Sequence, residues 1–131
     1  MKTFVLFLAL VCVAVLTSTP AVGSKTLVGH KQKAVTQFNR PVVLQGVTLK
    51  GEYLFVHDDS AMNRGEACTR VYKGTAELPS KLVVAFHCVP LERSKFAYFI
   101  VRTKQITPDL AEVTEYQFKG DTEAHGVPTL R

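Results

Sequence analysis

The chain has 131 residues, 16 Lys and Arg against 11 Asp and Glu, and a formal net charge of +5. A length of this order supports one hydrophobic core with little margin, which excludes a multidomain enzyme. The basic residues are dispersed, with no run interleaved by aromatics, so a nucleic-acid-binding stripe is excluded as well.

Residues 1–23 read as a signal peptide. Lys2 supplies a short positive region, Phe4 to Leu16 an apolar run, and Ala21-Val22-Gly23 a small-x-small cleavage pattern. The apolar run is shorter than the roughly 20 residues a spanning helix needs, so no transmembrane helix is expected in the mature form. Cys12 follows Val11 inside this run and leaves with it. Ser24 becomes the first mature residue, and loss of Lys2 lowers the net charge to +4. The expected location is secreted or periplasmic.

Residues 24–131 read as a single β-domain. A polar stretch, 24–33, forms a loose N-terminal arm. Residues 34–39 alternate like a strand and end in the turn-forming Asn39-Arg40-Pro41. In 41–57 two apolar runs are joined by a turn punctuated by Gly46 and Gly51, with Val42, Leu44, Val47 and Leu49 pointing inward. Within 52–57, Tyr53, Phe55 and His57 share one face and Leu54 and Val56 the other. Both faces are apolar, which predicts a central strand covered on two sides.

A polar loop, 57–66, precedes a strand over 67–73. A turn-rich connection, 74–80, leads to a strand over 81–88 with Leu82, Val84, Phe86 and Cys88 on one side. Pro90 to Lys95 bounds a further strand, 96–104. Pro108-Asp109-Leu110 looks like a helix start, but Val113, Thr114, Tyr116 and Phe118 favour a strand over 112–119. The tail, 120–131, reads as polar and irregular. About seven short strands separated by Gly, Pro, Asn or Asp predict an all-β fold, a single antiparallel β-sandwich or partly closed barrel.

The run Phe38-x-x-Pro41-Val42-x-Leu44-x-Gly46-x-x-Leu49, followed by Gly51, Tyr53 and Phe55, resembles an element of small exported bacterial proteins of unknown function. In that group the element lies early in a β-sandwich-like domain. Here Leu49-Lys50-Gly51 is one residue shorter than the usual turn. The resemblance covers residues 38–56 and implies export and a β-fold, with no activity attached.

The mature chain keeps two cysteines, Cys68 and Cys88. In an oxidising compartment two thiols most often form one disulfide. A hairpin about 74–80 with paired residue numbers summing to 156 would set Cys68 directly opposite Cys88, Arg70 opposite Phe86 and Tyr72 opposite Val84. No Cys-x-x-Cys is present to lower a thiol pKa for redox catalysis.

The histidines carry a sharper alternative. His57 ends a central strand before Asp58 and Asp59, while His87 points away from the face that Cys88 occupies. Asp121, Glu123 and His125 alternate, so an extended tail would project all three from one side. Imidazole with carboxylates suits a divalent metal, so His57, His87, Asp121, Glu123 and His125 are the candidate ligands. The competing readings are a polar strand end at His57 and a solvated tail.

Catalytic patterns are absent. Ser60 and Ser94 lack nucleophile-elbow glycines, and Glu112 and Glu115 fall on opposite faces of a strand. A tyrosine-rich face built from Tyr53, Tyr72, Tyr98, Tyr116, Phe96 and Phe99 could stack on sugar rings, although a core of this size also consumes such residues.

The expected function is a secreted or periplasmic non-catalytic binding or structural module. Its partner would be an envelope or extracellular component, an anionic polymer or a glycan, and not nucleic acid; no cofactor is required. The alternatives are a small divalent-metal-binding protein and a hydrolase with an unrecognised site. Convergence of His57 and His125 is the observation that would favour the metal reading.

Overall fold

A computed structural model describes residues 29–130. The expected signal peptide, Ser24 and the start of the expected N-terminal arm lie outside the described residues. Eight strands form one sheet curled into a half-barrel, with almost no helix. The all-β class holds, and of the two expected shapes the partly closed barrel is the one observed.

The founding unit is a long hairpin of β1, Lys31–Leu44, and β2, Val47–Asp58. Gln45 and Gly46 form the two-residue turn, with φ of 50° and 75°. Positive φ at both central positions gives a turn whose twist matches that of the flanking strands, and glycine adopts it without a Cβ penalty. Leu44 pairs with Val47 directly across it. The turn expected at Asn39-Arg40-Pro41 is instead an irregularity inside the continuous strand β1, where the register shifts between Phe38 and Val42. Pro41 falls in this irregularity, where a residue lacking an N–H breaks no ladder bond.

The alternation in 52–57 is realised. Tyr53, Phe55 and His57 are buried together with Leu54 and Val56. Tyr53 and Phe55 join the main core with Leu44, Leu49, Val71, Val113, Tyr116 and Phe118, while Leu54, Val56 and Tyr72 form a second small cluster. β2 lies inside the sheet, between β1 and β3, Thr69–Lys73. β3 in turn pairs with β4, Leu82–Phe86.

β7, Leu110–Gln117, organises the other half. It runs antiparallel to β6, Ile100–Thr107, and parallel to β1 through Val42–Ala111 and Val43–Glu112. Past that short parallel contact it pairs with β8, Glu123–Gly126, which pairs in turn with β5, Val89–Glu92.

Several expectations are corrected. The arm is extended strand from Lys31, and the loop after His57 contains a short helix, α1, Asp59–Asn63, capped by the Asp58 side chain. The irregular tail contains β8, and the Pro90 region contains β5. Pro90 sits on an edge strand, where its missing donor costs no ladder bond. The strand expected over 112–119 is present but starts earlier, at Leu110, because Pro108 and Asp109 form the tight turn of the β6–β7 hairpin.

Candidate metal centre

The site lies where the two halves of the curled sheet meet. His57 is the penultimate residue of β2, His125 lies in β8, and two strands, β1 and β7, separate them in the sheet order. Curling nevertheless stacks their rings, with centroids 4.0 Å apart and planes at 31°. Tyr116 of β7 stacks on the far side of His125 at 4.9 Å, and Phe118 meets His125 edge-on at 5.9 Å. Each histidine is only 2% exposed.

Cys88 completes the group. It follows β4 in a two-residue irregular link, where strand alternation no longer dictates side-chain direction. Its Sγ lies 3.6 Å from Nδ1 of His125. Donor atoms of His57, Cys88 and His125 all lie within 4.8 Å of one another. Ligands at 2.0–2.3 Å from a zinc ion are themselves roughly 3.4–3.8 Å apart, so only a small contraction separates this arrangement from coordination.

The electrostatics point the same way. Among the described residues, Nε2 of His57 and Nε2 of His125 are the two buried side-chain nitrogen or oxygen atoms without a hydrogen-bond partner. A buried imidazole nitrogen left unpaired costs on the order of 1–3 kcal/mol, a cost that a metal bond would remove. The Nδ1 atoms lie near carboxylates, at 3.5 Å from Asp59 for His57 and 3.8 Å from Glu123 for His125. Carboxylates beside one ring nitrogen are the usual outer partners of ligating histidines. Burial pushes His125 down to about 4, and the neighbouring His57 adds to the shift. His57 is lowered as well, chiefly by burial and against the pull of Asp59. Both rings are therefore neutral at physiological pH, the form that binds metal.

A cleft of about 240 Å³ opens onto the pair, lined also by His30, Gln32, Asp59, Asp121 and Glu123. Three carboxylates at its mouth give a local negative field on a chain whose net charge is positive, and that field favours cations. Gln32 donates to Asp121 Oδ2 at 2.5 Å, and Gln117 donates to the Asp121 carbonyl at 2.7 Å, which holds the β7–β8 connection in place. Gly29 allows His30 to reach the cleft. A Cβ at position 29 would stand 1.7 Å from Ser60 Oγ, so the chain crosses the start of α1 at a distance only glycine permits.

Of the expected ligands, the structure brings His57, Asp121, Glu123 and His125 to one cleft. His87 is exposed and stands outside the group. Cys88 takes the place expected of His87, a substitution hidden by the link after β4.

The cysteine pairing is corrected in two respects. The β3–β4 register sums to 155 through Thr69–Phe86, Arg70–Ala85 and Val71–Val84, one less than expected, and a bulge then sets Tyr72 against Leu82. The cysteines themselves flank the paired segment instead of belonging to it. Both are free, with their sulfurs 3.0 Å apart, and the Cys88 N–H donates to Cys68 Sγ at 3.2 Å. Burial, reinforced by the Cys68 sulfur, pushes the Cys88 thiol up to about 12. In the metal-free protein the thiol is therefore protonated at neutral pH; a metal bound through it releases that proton, and disulfide exchange runs slowly through the small thiolate fraction.

Glu115, the deepest carboxylate, is no acid–base candidate. Arg93 forms a bidentate pair with it at 3.1 and 2.8 Å, Arg102 approaches to 2.6 Å, and together they hold it below the usual carboxylate range. Behind the histidines, Thr69 Oγ1 and the Tyr116 hydroxyl are 2.5 Å apart and fully buried. Tyr116→Phe would leave the Thr69 hydroxyl with only its weak contact to the Cys68 sulfur at 4.0 Å. Urea unfolding is expected to show a loss of about 1–2 kcal/mol.

No family model matches this chain, and no curated protein or solved structure does either.

Proposed function

We propose that the protein is a small, non-catalytic metal-binding module of the cell envelope or extracellular space, with His57, Cys88 and His125 as ligands. The carrying observation is the pair of buried, neutral imidazoles whose Nε2 atoms have no partner, with the Cys88 sulfur 3.6 Å from Nδ1 of His125 and donor atoms of all three residues within 4.8 Å. Two imidazoles and a thiolate form a soft donor set suited to zinc or copper, and unsuited to calcium or magnesium, which take oxygen. Asp59, Asp121 and Glu123 attract the cation and orient the rings. Export rests on the sequence of residues 1–23. In that compartment Cys68 and Cys88 also stand ready to form the disulfide expected from their number.

The test is elemental mass spectrometry on untagged, reduced protein after exposure to zinc and exhaustive dialysis. One zinc per chain is expected. Zinc-free protein would sink the metal reading and favour a second one, contact with a glycan through Tyr98 and Phe96, which are 66% and 37% exposed.

A further inference from the structure

We propose that Cys68 and Cys88 form a thiol–disulfide switch that controls metal uptake at the histidine pair. This inference rests on the metal reading above and adds its regulation. Cys88 belongs to two clusters at once: its Sγ is 3.6 Å from His125 Nδ1 and 3.0 Å from Cys68 Sγ. Cys68 is not a member of the three-residue donor group. A sulfur committed to a disulfide carries no thiolate charge and ligates metal poorly, so metal binding and Cys68–Cys88 bonding compete for one atom.

The local architecture permits the exchange. A disulfide needs sulfurs about 2.05 Å apart, so closure takes about 1 Å of movement. The irregular link His87–Cys88 supplies that movement without breaking ladder bonds of β4 or β5. Cys88 is half-buried and Cys68 is 1% exposed, which makes Cys88 the sulfur an external reagent meets first.

The oxidant is a low-molecular-weight disulfide. Cys88, as thiolate, attacks one reagent sulfur, which breaks the reagent's S–S bond and expels one thiolate. Cys68, as thiolate, then attacks Cys88 Sγ and expels the second. One S–S bond forms in the protein, two electrons pass from the cysteines to the reagent, and both thiol protons end on the two released thiols. Metal held by Cys88 returns to solution. Conversely, a bound metal withholds the Cys88 sulfur from attack.

The experiment uses untagged full chain, zinc as the metal and oxidised glutathione as the oxidant. Reduced protein is expected to bind one zinc. After oxidised glutathione the intact mass should fall by two hydrogens, and zinc affinity by roughly a hundredfold or more. Zinc-loaded protein should oxidise at least about tenfold more slowly, because its attacking thiolate is occupied. Cys68→Ser should retain zinc binding when reduced and take up one glutathione instead of losing two hydrogens. Oxidised protein that binds zinc as tightly as reduced protein overturns the switch and leaves the metal reading standing. Failure of the two thiols to couple, or loss of zinc binding in reduced Cys68→Ser, also overturns it. Reduced wild-type protein that binds no zinc overturns the metal reading and the switch together.

Discussion

Replacing His125 with alanine is expected to weaken zinc binding by roughly a hundredfold, and replacing His57 by a similar factor. Structural zinc binding is worth about 10–16 kcal/mol over four ligands, so one ligand contributes about 3 kcal/mol, or roughly two orders of magnitude. Cys88→Ser should have an effect of the same order while changing a single atom. It guards against the objection that His125→Ala collapses the stack between Tyr116 and His57. His87→Ala is the internal control. His87 is exposed and outside the donor group, so its loss should leave affinity unchanged. Competition titration against a chromophoric chelator measures all four variants. Equal affinities for wild type and Cys88→Ser would remove Cys88 from the site, and weakened binding in His87→Ala would move the site elsewhere.

Metal-free protein is expected to lose roughly 2–3 kcal/mol of stability between pH 7.5 and 4.5. In the unfolded chain both histidines titrate near 6.5. In the folded chain burial depresses His125 to about 4 and lowers His57 too. Protons therefore bind preferentially to the unfolded state. Stability is complete above about 6.5 and is lost as pH falls through the window toward 4. A shift from 6.5 to about 4 for one nearly inaccessible group yields the stated magnitude, at about 1.36 kcal/mol per unit. Glu115 is held low by Arg93 and Arg102, so its contribution is present above the ordinary carboxylate range and is lost only below it. Urea unfolding at a series of pH values measures the slope. His125→Gln should flatten it, and a wild-type curve that is level from pH 7.5 to 5 would contradict the buried neutral pair.

The hairpin was legible in the chain because its determinants are local. Gln45-Gly46 between apolar runs specifies the turn, and the two-residue alternation of 52–57 places His57 on the same face as Tyr53 and Phe55. β5 and β8 were not legible. Each has four residues, too few for a two-residue period to stand out, Pro90 interrupts Val89–Glu92, and Glu123–Gly126 holds no large apolar residue. They are strands because β7 offers an edge beyond its short parallel contact with β1.

The same division runs through the site. His57, Asp121, Glu123 and His125 stood out by residue type and spacing. Strand alternation carried past the end of β4 at Phe86 pairs Cys88 with Cys68 alone and keeps His87 among the ligands, whereas the chain leaves the strand at that point. By itself the sequence determined the β class, the founding hairpin, the inward face of β2 and a short list of ligand-type residues, all consequences of a period-two backbone and turn chemistry. Only the tertiary structure decided that His57 and His125, two strands apart in the sheet, stack ring on ring with Cys88 beside them. Curling depends on how Phe55, Tyr116 and Phe118 fill the concave face, and packing between residues distant in sequence leaves no periodic signal along the chain.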